Sequence, residues 1–126
     1  MIHLDIGGSS FARTVACSGW FEACKNLPKN PPGPAAVQGS MHHMVQEQCQ
    51  IHDVQPETLI GLVYKEGWSR LEFTENDLEL SNICYTATNK LLDKYDIDEI
   101  LIEPFVQLIE GVAGGSIDIL GISADG

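Results

Sequence analysis

"YDIDEILIEPFVQLIEG", residues 95–111, is where the chain changes character. Upstream, apolar residues recur at helical spacing. From here on, Ile97, Ile100, Ile102, Phe105, Val106 and Leu108 make a β-branched, strand-like run. Pro104 has no N–H to give to a ladder, so it marks an edge or a bulge. "EGVAGG" (110–115) then reads as a turn and "SIDILGIS" (116–123) as a second strand. Helices followed by an antiparallel β-hairpin make the fold class α+β. Two strands do not form an independently stable sheet. The closing "SADG" carries the Asp-Gly chemistry that turns one strand into the next, so a third strand is expected that residues 1–126 do not contain. The expectation is one domain, 1–126, truncated within its sheet.

The helices upstream have recognisable ends. In "FTENDLEL" (73–80), Thr74 can cap a helix while Asp77 reaches back to it. Leu78, Ile83, Cys84, Ala87, Leu91 and Tyr95 then form an apolar stripe to about residue 95. A helix is predicted over "PAAVQGSMHHMVQEQCQIH" (34–52), with Val37, Met41, Met44, Val45 and Cys49 near one face. A shorter one is predicted from Pro56 through "ETLIGLVY", with the proline in its first turn. Ser9 or Ser10 of "GGSS" offers an N-cap for a first helix in "FARTVACSGWFEAC" (11–24), with Phe11, Val15 and Trp20 at helical spacing. Between them, "NLPKNPPGPAAVQG" holds four of the six prolines and reads as an extended loop.

At 126 residues and 44% apolar content the chain is the size of one domain with a modest core. It has no apolar run of the ~20 residues that span a bilayer, and its start lacks the basic-then-apolar order of a signal peptide. A soluble, cytoplasmic protein is expected, with no membrane partner. Seven Lys and Arg stand against 18 Asp and Glu, a net charge of −11. Through residue 52 the charges cancel, so the imbalance lies beyond it. That argues against a generic basic groove for nucleic acid, though not against an acidic metal site. Cys17, Cys24, Cys49 and Cys84 show neither Cys-x-x-Cys nor finger spacing, so reduced, mostly buried thiols are expected.

Several residues can carry chemistry. Strand alternation puts Asp118 on one face with Ser116, Leu120 and Ile122. A buried carboxylate must be paired or metal-bound, whereas an exposed one needs no explanation. Gly114 and Gly115 beside it mark a place where backbone or ligand approaches closely. Glu103 lies in the preceding strand, and its hairpin partner falls around residues 114–118, depending on the turn. Glu103 and Asp118 are therefore within reach of a common hard cation, unless Glu103 only protects an edge. His42 and His43 stand about 100° apart around a helix, so at most one faces a given site. Arg13 and Cys17 share a helical face, where Arg13 either binds an anion or covers apolar surface. Trp20 and Trp68 are expected to pack.

"SSFARTVAC" (9–17), the proline-rich loop, "GSMHH" (39–43), "IEPF" (102–105) and "GGSIDIL" (114–120) occur in an order that resembles the N-terminal half of the PD-(D/E)xK nucleases, of the RecB-like and lambda-exonuclease-like, phage-encoded type. Gly39, Ser40 and His43 stand for that family's Gly-Thr-x-x-His, with Ser for Thr. Gly115 and Asp118 stand for its Gly-x-x-Asp, and Glu103 for an acid on the preceding strand. The resemblance implies an incomplete restriction-endonuclease-like core. It implies Mg²⁺ or Mn²⁺ held by Asp118 and Glu103, His43 as a further catalytic residue, and Arg13 and Ser10 in substrate contact. An iron–sulfur cluster is not expected, because the three late cysteines that would join Cys17 are not in this sequence.

The family's (D/E)-x-K triplet, expected on the strand after Asp118, is also not in these residues. The function implied is thus the N-terminal part of a metal-dependent DNA nuclease, of exonuclease or recombination and repair type, inactive alone. DNA is its partner once a C-terminal part completes it. Two alternatives stand beside it. One is a catalytically dead, acidic nuclease-derived protein, an inhibitor or assembly subunit that docks a protein partner or a second copy through its charge or hairpin edge. The other is a small acidic adaptor in which the motif matches are accidental.

Overall fold

The computed structural model describes residues 6–125. In chain order these form β1 (Ile6–Gly7), α1 (Gly8–Ala16), α2 (Trp20–Cys24), α3 (Pro34–His52), β2 (Val63–Glu66), β3 (Ser69–Glu72), α4 (Leu78–Lys94), β4 (Ile97–Ile102), β5 (Phe105–Ile109), β6 (Ala113–Ser116) and β7 (Ile119–Ser123). This is an α+β fold, as the sequence suggests. The chain divides into two compact units. One holds the residues up to Asn30 together with Leu101–Leu120, and the other holds Pro31–Ile100 with the residues from Gly121 on. No helix among the described residues is long and apolar enough to cross a membrane.

The second unit is built on α3 and α4. Pro34 occupies the first turn of α3, where a missing N–H costs nothing, and Asp53 ends the helix in the left-handed region at φ 50. Val37, Met41, Val45 and Cys49, each four residues from the last, are all buried. Met41, Val45, Cys49 and Phe73 form the core, against which Leu59, Leu62, Tyr64, Leu71, Leu78 and Tyr85 pack. Thr74 and Asp77 form the expected capping box: Asp77 Oδ2 accepts from the Thr74 N–H at 3.0 Å and from its Oγ1 at 2.8 Å. A short 3-10 turn, Glu75–Asp77, leads from it into α4.

The inward face of α4 is not the apolar one. Ile83, Leu91 and Tyr95 are 60%, 55% and 57% exposed, and Cys84 and Ala87 are exposed with them. The buried position is Ser81, at 0%, flanked along the same face by Leu78, Asn82, Tyr85, Thr88, Asn89 and Leu92. Several polar groups of this face bond to α3, although Gln46 Oε1 is left buried without a partner. The Ser81 Oγ meets His42 Nδ1 at 2.9 Å, its carbonyl accepts from Gln46 Nε2 at 2.8 Å, and Asn89 Oδ1 accepts from Gln50 Nε2 at 3.4 Å. The rotation seats Leu78 and Tyr85 on the core together with this matched polar set, and turns Ile83 and Leu91 outward.

Three further expectations are corrected. The helix from Pro56 is only a 3-10 turn, Pro56–Leu59. Beyond it lies an antiparallel hairpin that pairs Val63 with Glu72 and Glu66 with Ser69, so the helices do not all precede the strands. The first helix begins at Gly8, which puts Ser9 and Ser10 within it rather than at its cap, and Cys17, Ser18 and Gly19 interrupt it to give α1 and α2. Of the four cysteines only Cys49 is buried, while Cys17 and Cys84 are exposed thiols.

In the first unit, β6 is the middle strand of three, parallel to β1 and antiparallel to β5. Gly7 lies beside Gly114, and α1 packs against β1 and β6. The first long strand read from the sequence is split, and the stretch read as a turn, 110–115, supplies most of β6 instead. β4 ends at Ile102 and β5 starts at Phe105, while β6 ends at Ser116 and β7 starts at Ile119. β4 pairs with β7, and the division between the units runs through both strands.

Candidate functional site

The two breaks face each other. In the register of β5 and β6, Phe105 lies opposite Ser116. That pairing continues through the break, because the Ile117 N–H donates to the Pro104 carbonyl at 3.0 Å and the Glu103 N–H donates to the Asp118 carbonyl at 3.1 Å. Glu103 and Asp118 are therefore direct cross-strand partners, at the far end of the range that the turn length allows. Directly opposed residues of an antiparallel pair bring their Cβ atoms to about 5 Å where the strands are regular.

Here the backbone is not regular. Glu103 has φ 50, in the left-handed region. An L-residue there carries a strain of about 1–2 kcal/mol. The departure is twofold, since a residue before proline is normally held extended. Asp118 is exposed and sits in a bend rather than in the body of a strand. The alternation that placed it among Ser116, Leu120 and Ile122 stops at the break, and the cost of burying a carboxylate does not arise. Glu103 is half-buried.

His43 is half-buried on α3, in the second unit. Arg13 is exposed, with its guanidinium 5.3 Å from the centre of the Trp20 ring, covering apolar surface. The Ser10 carbonyl accepts from Thr14 Oγ1 at 3.0 Å, an in-helix contact. Trp20 is half-buried as a packing residue, whereas Trp68 is 106% exposed, the reverse of the packing role expected for it.

The polar cluster that sequence reasoning missed is around His42. Its Nδ1 meets Ser81 Oγ, its Nε2 lies 3.9 Å from Asp77 Oδ1, and its ring stands edge-on to Phe73 at 6.2 Å. The Thr74 N–H, more than any other contact, holds the Asp77 carboxyl below its ordinary range, with the Thr74 hydroxyl, Gln38 and His42 adding to it against the effect of burial. A serine, a histidine and an aspartate in one network suggest hydrolytic chemistry, but Ser81 is 0% exposed and no substrate reaches its oxygen. The network fixes α3 on α4. The signal for it lay in Ser81, a polar residue four positions from Asp77 and so at helical spacing from it.

Among the described residues, no three His, Cys, Asp or Glu converge to hold a metal ion. Two hard carboxylates suit a Mg²⁺-type ion, which takes one or two protein acids and keeps waters and substrate oxygens for the rest. No known protein family, curated protein or solved structure matches this chain.

Proposed function

We propose that the chain is the metal-binding N-terminal part of a DNA nuclease, with Asp118 the principal ligand and Glu103 the auxiliary acid. The observation that carries this reading is the Glu103–Asp118 pairing, in which a strained, left-handed glutamate is hydrogen-bonded to the backbone of an exposed aspartate. Strain of this kind concentrates at functional positions. A bound Mg²⁺ or Mn²⁺ supplies a water of lowered pKa and charge stabilisation for phosphodiester hydrolysis. The two carboxylates orient that ion, and Arg13, on α1 of the same unit, is proposed to act on the phosphate. This chemistry also calls for a further acid and a lysine.

A metal that binds only the folded state raises its stability. At a free metal concentration ten times Kd the gain is about 1.4 kcal/mol, a rise in melting temperature of roughly 5 °C. Mn²⁺ is expected to produce this shift in the parent chain and none in Asp118→Ala. A parent chain indifferent to both Mg²⁺ and Mn²⁺, or an Asp118→Ala variant that keeps the full response, refutes the reading. The acidic surplus beyond residue 52, 15 acids against four bases, favours one other function, docking on a basic protein.

A further inference from the structure

The hairpin of β2 and β3 turns through Gly67 and Trp68, since Glu66 is paired with Ser69. Gly67 takes φ 57 and Trp68 is not among the residues of positive φ, which is the pattern of a type II′ turn with glycine at its first central position. One face of the hairpin is committed: Tyr64 and Leu71 pack on the core. Alternation then turns Lys65 and Arg70 outward, and both are exposed. The register sets these two cations directly opposite one another.

Neither feature serves the fold. Like charges directly opposed across a hairpin destabilise it. An indole left wholly in water forgoes the largest burial gain a side chain offers. Among the described residues neither Lys65 nor Arg70 is in an ion pair; exposed Glu72 shares their face, and Glu66 accepts from the Tyr64 hydroxyl at 3.2 Å on the opposite one. Beyond residue 52 the chain has only four cations, and this hairpin spends two of them beside a bare indole. Paired cations for phosphates with an adjacent aromatic plate for a base are the two parts of a single-strand binding surface.

The geometry points to the tip of the β2–β3 hairpin as a site for single-stranded nucleic acid, with Trp68 stacking on an unpaired base and Lys65 and Arg70 holding the flanking phosphates. It deepens the nuclease reading, on which it rests for its purpose, by naming the form of substrate. The test is independent of the metal site because it is run in EDTA. In a Trp20→Phe background Trp68 is the sole tryptophan. A thymidine 15-mer and a uridine 15-mer, added at low salt, are expected to quench its emission, and a blunt duplex to do so far less.

By anisotropy of the labelled thymidine strand, Trp68→Ala is expected to weaken binding by about 5- to 100-fold. Lys65→Gln and Arg70→Gln are each expected to lower the slope of log K against log salt by about 0.7. All three positions are exposed, so the variants keep the fold. Quenching by the thymidine strand alone identifies DNA, and quenching by both strands a preference for single strands of either kind. The inference is overturned if neither strand quenches Trp68, which leaves the tip to a protein partner, or if Trp68→Ala binds as the parent does.

Discussion

Replacing Asp77 by alanine tests the joint on which the second unit turns. The carboxylate accepts from the Thr74 N–H and hydroxyl, accepts from Gln38 Nε2 at 3.3 Å, and faces His42 at 3.9 Å. Loss of a helix cap costs about 1 kcal/mol, and leaving the half-buried Thr74 donors without an acceptor adds a similar amount. A loss of about 2 kcal/mol follows, and for a chain of this size a fall of roughly 8 °C in melting temperature. The pH dependence has a definite sign. Asp77 titrates below its ordinary value, chiefly because of the Thr74 N–H, so its contribution is fully present above the unfolded-state pKa of about 4 and is lost as pH falls through the folded one. Urea denaturation of parent and variant at pH 6 is expected to show the whole difference, and the two curves are expected to converge towards pH 3. A difference under about 0.5 kcal/mol at pH 6, or one of the same size at pH 3, refutes the assignment of the carboxylate as a charged cap.

Glu103→Gly relieves the left-handed strain but loosens the unfolded chain, for a net gain of about 0.5–1 kcal/mol in EDTA, while its Mn²⁺ response falls. Thermal melts with and without metal check both. Ser81→Ala leaves the His42 ring nitrogen short of its partner and is expected to cost about 1–2 kcal/mol, whereas Ile83→Ser, on the exposed side of the same helix, stays within about 0.5 kcal/mol; equal losses in urea would contradict the rotation of α4. Gly121→Ala brings a methyl within 3.0 Å of Ile97 Cγ2 across β4 and β7, and an overpacking cost of about 1–2 kcal/mol is expected, measurable by denaturation and relieved by a second substitution, Ile97→Val.

What could be read from the sequence was set by local chemistry. α3 was legible to the residue because Pro34 fixes its start and Met41, Val45 and Cys49 repeat every fourth position. The start of α4 was legible because Thr74 and Asp77 are near in sequence. The inward face of α4 was not, because its rotation depends on Gln46, Gln50 and His42, which lie over 30 residues away in the chain. Hydropathy names the stripe of Ile83 and Leu91, whereas Leu78 and Tyr85 seat on the core together with the polar set matched on α3. The β2–β3 hairpin was hidden for another reason: "LIGLVY" runs on from Pro56 as an unbroken apolar stretch, so neither helical nor alternating periodicity separates the turn from the strand.

At the candidate site the division is sharper. Counting back from the turn left the partner of Glu103 anywhere between residues 114 and 118, and no local preference puts a glutamate before a proline into the left-handed region. The conformation is imposed from across the strand. The Pro104 carbonyl is held by Ile117 and the Glu103 N–H by Asp118, so the backbone on both sides of the strained residue is tied to β6 and the segment after it. Those ties use main-chain atoms alone and survive a change of side chain. Glu103→Gln therefore keeps the backbone strain and the register while it removes the charge. If it also leaves the Mn²⁺-dependent rise in melting temperature intact, the strained conformation serves the kink in the strand, and Glu103 is not a ligand.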